Sequence, residues 1–245
     1  MLSIKTFDKA AVLIMMMNVS LNAGDSFQYF GTASDLNKGS KLYTDHHTET
    51  VQSGNHISSY IEYRDSSGKT FASKKISFGK SSQLPDFTLE DKRDGYLEGA
   101  ELNGDKIRIF TRKNQNSPMQ ERTVTLPGDS VVDGGFDHYI RKHWDSFLAG
   151  KSRSFYMFAP AKQDFYKFKA FKVNDKAFKG KDAFLVRVEL DVFALGKILP
   201  AIQITYDKKT KRILKYEGIS NINDSSGKSH FVRLEYDYPN LTASE

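Results

Sequence analysis

The 245 residues contain no cysteine, and that absence removes more chemistry than any single motif supplies. Thiolate zinc sites, iron–sulfur clusters, cysteine nucleophiles and disulfides are all excluded. So is a lipobox cysteine, so the N-terminus is not expected to be lipid-anchored. Tryptophan occurs once, at Trp144. A G-x-S-x-G nucleophile elbow, a Walker loop and a dinucleotide fingerprint are missing from the whole chain. No period of 20–50 residues marks a solenoid or propeller. Beyond the N-terminus, no apolar stretch reaches the roughly 20 residues that span a bilayer.

What is present is aromatic and evenly charged. Eighteen Phe and twelve Tyr carry much of the 39% hydrophobic content, a composition that favours strands and large burial per residue. The net charge is +6 at pH 7. That excess would suit anionic glycans or lipid headgroups, but acids and bases are interleaved, which argues against a dedicated nucleic-acid surface. The N-terminus has Lys5 and Lys9 around a polar start, the apolar run Ala10–Met17, and a small residue at Ala23. This is the layout of a signal peptide over 1–23 with cleavage after Ala23. The expectation is export to the periplasm and a single β-rich domain over 24–245.

Alternating segments predict strands at 27–33, 41–52, 56–64, 70–78, 86–92, 96–102, 106–113 and 120–126. A second series follows at 152–158, 165–173, 183–192, 202–207, 212–222 and 229–236. Between them lie Ser53-Gly54-Asn55, Asp94-Gly95 and Asn103-Gly104-Asp105, which supply the positive φ angles of tight hairpins. Links this short make neighbouring strands antiparallel. The pentapeptide Asp65–Lys69 recurs letter for letter at Asp224–Lys228, and reads as one turn chemistry used twice. In the middle, Phe136, Tyr139, Ile140, Trp144, Phe147 and Leu148 recur at helical spacing, predicting one amphipathic helix at about 135–149 closed by Gly150. The fold class is therefore mainly β. We expect an antiparallel meander of about a dozen strands, curled into a barrel or half-barrel with this helix across its concave side.

Few constellations suggest chemistry. His46 and His47 are adjacent on a strand and point to opposite faces. His138 and His143 lie five apart on the helix, not at the i, i+4 spacing of zinc enzymes. No metal site and no cofactor is expected. Phe165–Lys172 interleaves aromatics with lysines, which an apolar strand face with overlying lysine stems explains better than a nucleic-acid platform. In Leu89–Glu98, alternation puts Asp91 and Arg93 on one face with apolar neighbours, inviting an inward ion pair or a polar ligand contact.

The stretch Ile204–Ile222, with Leu89–Glu98 and Phe136–Trp144, resembles an uncharacterised family of exported, periplasmic proteins of Gram-negative bacteria. The resemblance implies a periplasmic address and brings no catalytic residues. On architecture alone, the chain is similar to half-barrel carriers of the LolA/LolB type, the lipoprotein chaperones. The leading expectation is a non-enzymatic binding or carrier protein for a hydrophobic or lipid-like envelope ligand. Trp144, Phe147, Phe184 and Tyr206 would line its pocket, with Arg93 as polar handle. Two alternatives stand beside it. One is a hydrolase of envelope glycan or lipid using Asp91, Asp94 and Glu98; the other is a structural partner in the envelope that uses exposed sheet edges.

Overall fold

The computed structural model describes residues 24–191 and 201–239; the expected signal peptide at 1–23 lies outside them. Among the described residues, fifteen strands form one sheet. The first eight run as a meander: β1 (Asp25–Asp35), β2 (Lys41–Gln52), β3 (Asn55–Arg64), β4 (Thr70–Ser77), β5 (Asp86–Asp91), β6 (Tyr96–Asn103), β7 (Lys106–Arg112) and β8 (Gln120–Thr125). After the two-residue β9 (Ser130–Val131) come the helices α1 (Gly135–Lys142) and α2 (Trp144–Leu148). The second meander is β10 (Arg153–Ala159), β11 (Asp164–Asp175), β12 (Ala183–Leu190), β13 (Ile202–Asp207), β14 (Ile213–Asn223) and β15 (Ser229–Asp237).

The two meanders join where β15 pairs antiparallel with β1, and the sheet ends at β8 on one side and β9 on the other. It is curled but unclosed. Side chains bridge the seam instead of a ladder: Gln163 Nε2 donates to Thr111 Oγ1 (2.9 Å), and Arg122 pairs with Asp164 (3.3 Å). The mainly-β, antiparallel reading of the sequence holds, with two differences. The expected single helix breaks at His143, whose backbone (φ −103°, ψ 20°) leaves helical geometry. And β9 pairs parallel with β10, because the helical segment between them is long enough for a crossover; two residues are too few to show alternation in a sequence.

The inner face is built by alternation. Along one cross-strand row the partners are Tyr236, Gly31, Asp45, Tyr63, Ala72, Asp91 and Tyr96. A tyrosine recurs at every third position of the row with two smaller side chains between, which lets large rings fit a tightly curved interior. Two apolar clusters result. One, with Tyr43, Tyr63, Phe71 and Ile222, belongs mostly to β1–β7 and β14–β15; the other packs Tyr139, Ile140, Trp144 and Phe147 of the helices on β10–β13. The helices' other side meets β3 and β4 through polar groups: Lys74 Nζ donates to Asp133 Oδ2 (2.8 Å), just before α1.

Candidate ligand-binding site

The turns of the repeated pentapeptide set the site. In both copies the Asp carboxylate accepts from the Ser two residues on and from the Lys backbone N–H four residues on. For Asp65 Oδ1 the acceptances are Ser67 N (2.9 Å), Ser67 Oγ (2.6 Å) and Lys69 N (3.1 Å). For Asp224 Oδ1 they are Ser226 N (2.8 Å), Ser226 Oγ (2.7 Å) and Lys228 N (3.0 Å). Gly68 (φ 84°) and Gly227 (φ 79°) then take the left-handed position that closes each turn. The serine hydroxyl, first among the causes, holds each Asp below the usual carboxylate range. Each turn is closed by these hydrogen bonds, and both lie at the end of the sheet where β3 and β14 finish.

Between them opens a cavity of about 230 Å³. Its floor is apolar, made by Leu42 and Tyr43 of β2, Phe71 of β4 and Ile222 of β14; its rim carries Asp65, Lys69, Arg93 and His230. Arg93 stands in the β5–β6 turn with its guanidinium 4.2 Å above the Phe71 ring. The buried carboxylate of Asp91 accepts from the Arg93 backbone N–H and from Nε, both at 3.0 Å, and Asn223 O accepts from Nη2 at 2.9 Å. This is the inward ion pair that strand alternation predicts. It fixes the fork while leaving 43% of the Arg93 side chain exposed. Below the floor, Tyr43 shares a 2.7 Å hydrogen bond with Ser220 Oγ, and burial pushes its phenol well above the ordinary range.

The predicted site residues fall into two groups. Trp144, Phe184 and Tyr206 come together, with Trp144 edge-on to both rings at 4.9 and 5.7 Å. Phe147 joins them in the same buried cluster, and all four fix the helices to the sheet. Arg93 lies apart from them, on the cavity. The sequence reading missed Lys69, His230 and the apolar floor. The pentapeptide repeat was the available signal, since Lys69 ends one copy and His230 follows the other by two residues.

The carboxylates Asp91, Asp94 and Glu98 do not share a cleft. Asp91 is tied to Arg93, and Asp94 is an exposed turn residue accepting from Tyr96 N (2.9 Å). Glu98 is fully buried, accepting from Tyr96 OH (2.6 Å) and Asn221 Nδ2 (2.7 Å). Burial raises its pKa against those two hydrogen bonds and Lys74. A paired-carboxylate mechanism needs both groups on one reacting bond, and these three are not so placed.

At the other end of β3, His56 meets His138 of α1, Nδ1 to Nε2, at 3.2 Å. His56 Nε2 lies 3.1 Å from Ser58 O. Nε2 also lies 2.8 Å from Ser59 Oγ; a proton on Nε2 satisfies both oxygens, since the carbonyl only accepts, and leaves Nδ1 to accept from His138. Both rings press on Phe78, and burial holds both below the ordinary imidazole pKa against Glu49 and Asp137, with Arg141 adding to the depression. The unfolded chain therefore binds protons that the folded one refuses. The pair's contribution is complete above about pH 6.5 and is lost as pH falls through the folded-state values. Wild type is expected to lose more melting temperature between about pH 7.5 and about pH 5.5 than His138→Gln does. Equal losses in a thermal scan would remove the pair as the cause.

No family model matches the chain, and no curated protein does. Among solved structures, the chain is similar to a β-barrel-like protein of Domain of Unknown Function DUF1849 from Brucella abortus. The identity is 10%, the likeness covers 89% of this chain and 99% of that one, and the TM-score is 0.48.

Proposed function

We propose that the protein is a non-enzymatic periplasmic carrier that holds a small, lipid-like anion at the cavity between the repeated turns. The observation that carries this reading is the pairing of an apolar floor with a rim that holds two cations, Arg93 and Lys69, against one carboxylate, Asp65, already engaged by its own turn. Arg93 is held in place by Asp91, and Lys69 and His230 line the same cavity. Anionic headgroups suit a fixed, half-exposed guanidinium, and Phe71 and Ile222 suit the first carbons of a chain. About 230 Å³ is below the usual range for drug-sized ligands, so the site takes a headgroup and a short tail, not a whole lipid. The layout of residues 1–23 supports the periplasmic address. The carriers of half-barrel shape offer the nearest functional analogy, at the level of architecture alone.

Titration calorimetry with octanoate, octanol and octylammonium tests it. Octanoate is expected to bind, with octanol weaker and octylammonium absent. Arg93→Ala should weaken octanoate about tenfold or more, the worth of a charge-assisted hydrogen bond. Since that change also unpairs Asp91, Lys69→Ala on the turn gives a second reading with the Asp91 pair intact. Octanoate heats unchanged in both variants would end the proposal.

A further inference from the structure

The outer face of the first meander carries a feature independent of the mouth: a polar trough of about 560 Å³ running across β2–β6. Two neighbouring cross-strand rows make it. One row pairs Thr48 with Tyr60, Tyr60 with Lys75, and Lys75 with Thr88. The next pairs Thr50 with Ser58, Ser58 with Ser77, and Ser77 with Asp86. The depression exists because threonine and serine stand where long side chains would fill it. From β2 to β5 it spans three inter-strand spacings, about 14 Å, the length of roughly three sugar rings.

Two side chains stand out of this hydroxyl floor. Tyr60 is exposed, and its ring stacks on no other ring among the described residues. Lys75, beside it on β4, is exposed and forms no ion pair among the described residues. The trough's carboxylates are engaged already: Asp86 accepts from Leu102 N (2.6 Å) and pairs with Lys80 (2.8 Å), and Glu101 pairs with Arg108 (3.0 Å). An open aromatic face accepts the C–H face of a pyranose. Short hydroxyls answer its hydroxyl groups, and the one unengaged charge is positive.

We propose that this trough binds an acidic oligosaccharide of about three or four units, with one sugar ring stacked on Tyr60 and a carboxylate on Lys75. A glycan site on the outer wall and a headgroup site at the mouth leave the same molecule two separate attachments to envelope chemistry.

Tetragalacturonate and maltotetraose, both α-1,4-linked and differing in charge, test it by calorimetry on the whole chain. Tetragalacturonate is expected to bind at millimolar or lower concentration and more tightly than maltotetraose. Tyr60→Ala should weaken tetragalacturonate about fivefold or more. Lys75→Gln should weaken it about threefold or more and remove its advantage over maltotetraose. Both positions are exposed, so the variants keep the fold, and octanoate titration of the same variants should be unchanged. No heat from either glycan, affinity indifferent to Tyr60→Ala, or maltotetraose binding as well as tetragalacturonate would each overturn the proposal. None of those outcomes bears on the carrier reading, which depends on Arg93 and Lys69.

Discussion

Replacing Lys74 with Met is expected to cost about 3–5 kcal/mol of unfolding free energy, the usual consequence of leaving a buried charge without its partner. Lys74 and Asp133 are almost wholly shielded from water, with 7% and 8% of their side chains exposed, and their charged atoms lie 2.8 Å apart. Asp133 cannot turn away to find solvent. Its Oδ1 accepts from Gly134 N at 2.8 Å, and its own backbone sits at φ 43° in the left-handed region. The pair joins β4 to the start of α1, so its loss also loosens the helices. Lys74 further reaches Asn221 Oδ1 at 3.4 Å, and Asn221 holds Glu98. The double variant Lys74→Met with Asp133→Asn removes both charges and should recover most of the loss. Urea unfolding followed by the fluorescence of Trp144 measures all three proteins, since that residue is the only tryptophan. A single-variant loss below about 1 kcal/mol would place the pair with ordinary surface ion pairs, and the shielding argument would fail.

How far the sequence shows this architecture depends on whether the deciding contact is local. Turn residues decide strand ends, so Asn103-Gly104 and Asp94-Gly95 mark the limits of β6 before any fold is known. The Asp91–Arg93 pair is legible for the same reason, since Asp91 ends β5 and Arg93 stands two residues on in the following turn. Its third partner, Asn223 O, is 130 residues away, and nothing local announces it. The helix shows the limit most clearly. Periodicity gives its apolar stripe, with Trp144 and Phe147, but its polar side reads the same whether it meets water or a polar wall. In the structure Asp137 and Arg141 pair at 2.7 Å, with Tyr206 and Glu49 close enough to act on the guanidinium, while His138 bonds to β3. The break at His143 is invisible to spacing, since residues on both sides keep the apolar stripe. The cavity between the repeated turns is a meeting of five separate segments: Arg93 and the pentapeptide residues Asp65 and Lys69 carried local signals, and the apolar floor carried none.

Gly31→Val is expected to be strongly destabilising, and the reason is space, not backbone freedom. Gly31 sits mid-strand in β1, paired with Tyr236 on one side and Asp45 on the other. A Cβ there would come within 2.2 Å of Asp45 Oδ1 and 2.8 Å of the Tyr236 ring. Neither neighbour has room to retreat. Asp45 is 3% exposed, its Oδ2 lies 3.2 Å from His47 Nε2, and Tyr236 stands edge-on to both Tyr29 and His47. Because β1 is the strand that joins the two meanders, displacement there separates β15 from β2 and strains the whole curl. Overpacking of a tight core costs about 1–3 kcal/mol, and crowding the buried Asp45 carboxylate, whose Oδ1 has no hydrogen-bond partner among the described residues, adds to it. Gly31→Val should therefore lower stability by about 3 kcal/mol or more, a large share of the roughly 5–15 kcal/mol that holds an ordinary domain folded. Gly31→Ala should show the same direction at smaller size. Adding Asp45→Ala to Gly31→Ala should restore part of the loss, because removing the carboxylate opens the space the methyl needs. A Gly31→Ala protein as stable as wild type in denaturant titration would show that the row can relax. A double variant no better than Gly31→Ala alone would move the clash from Asp45 to Tyr236.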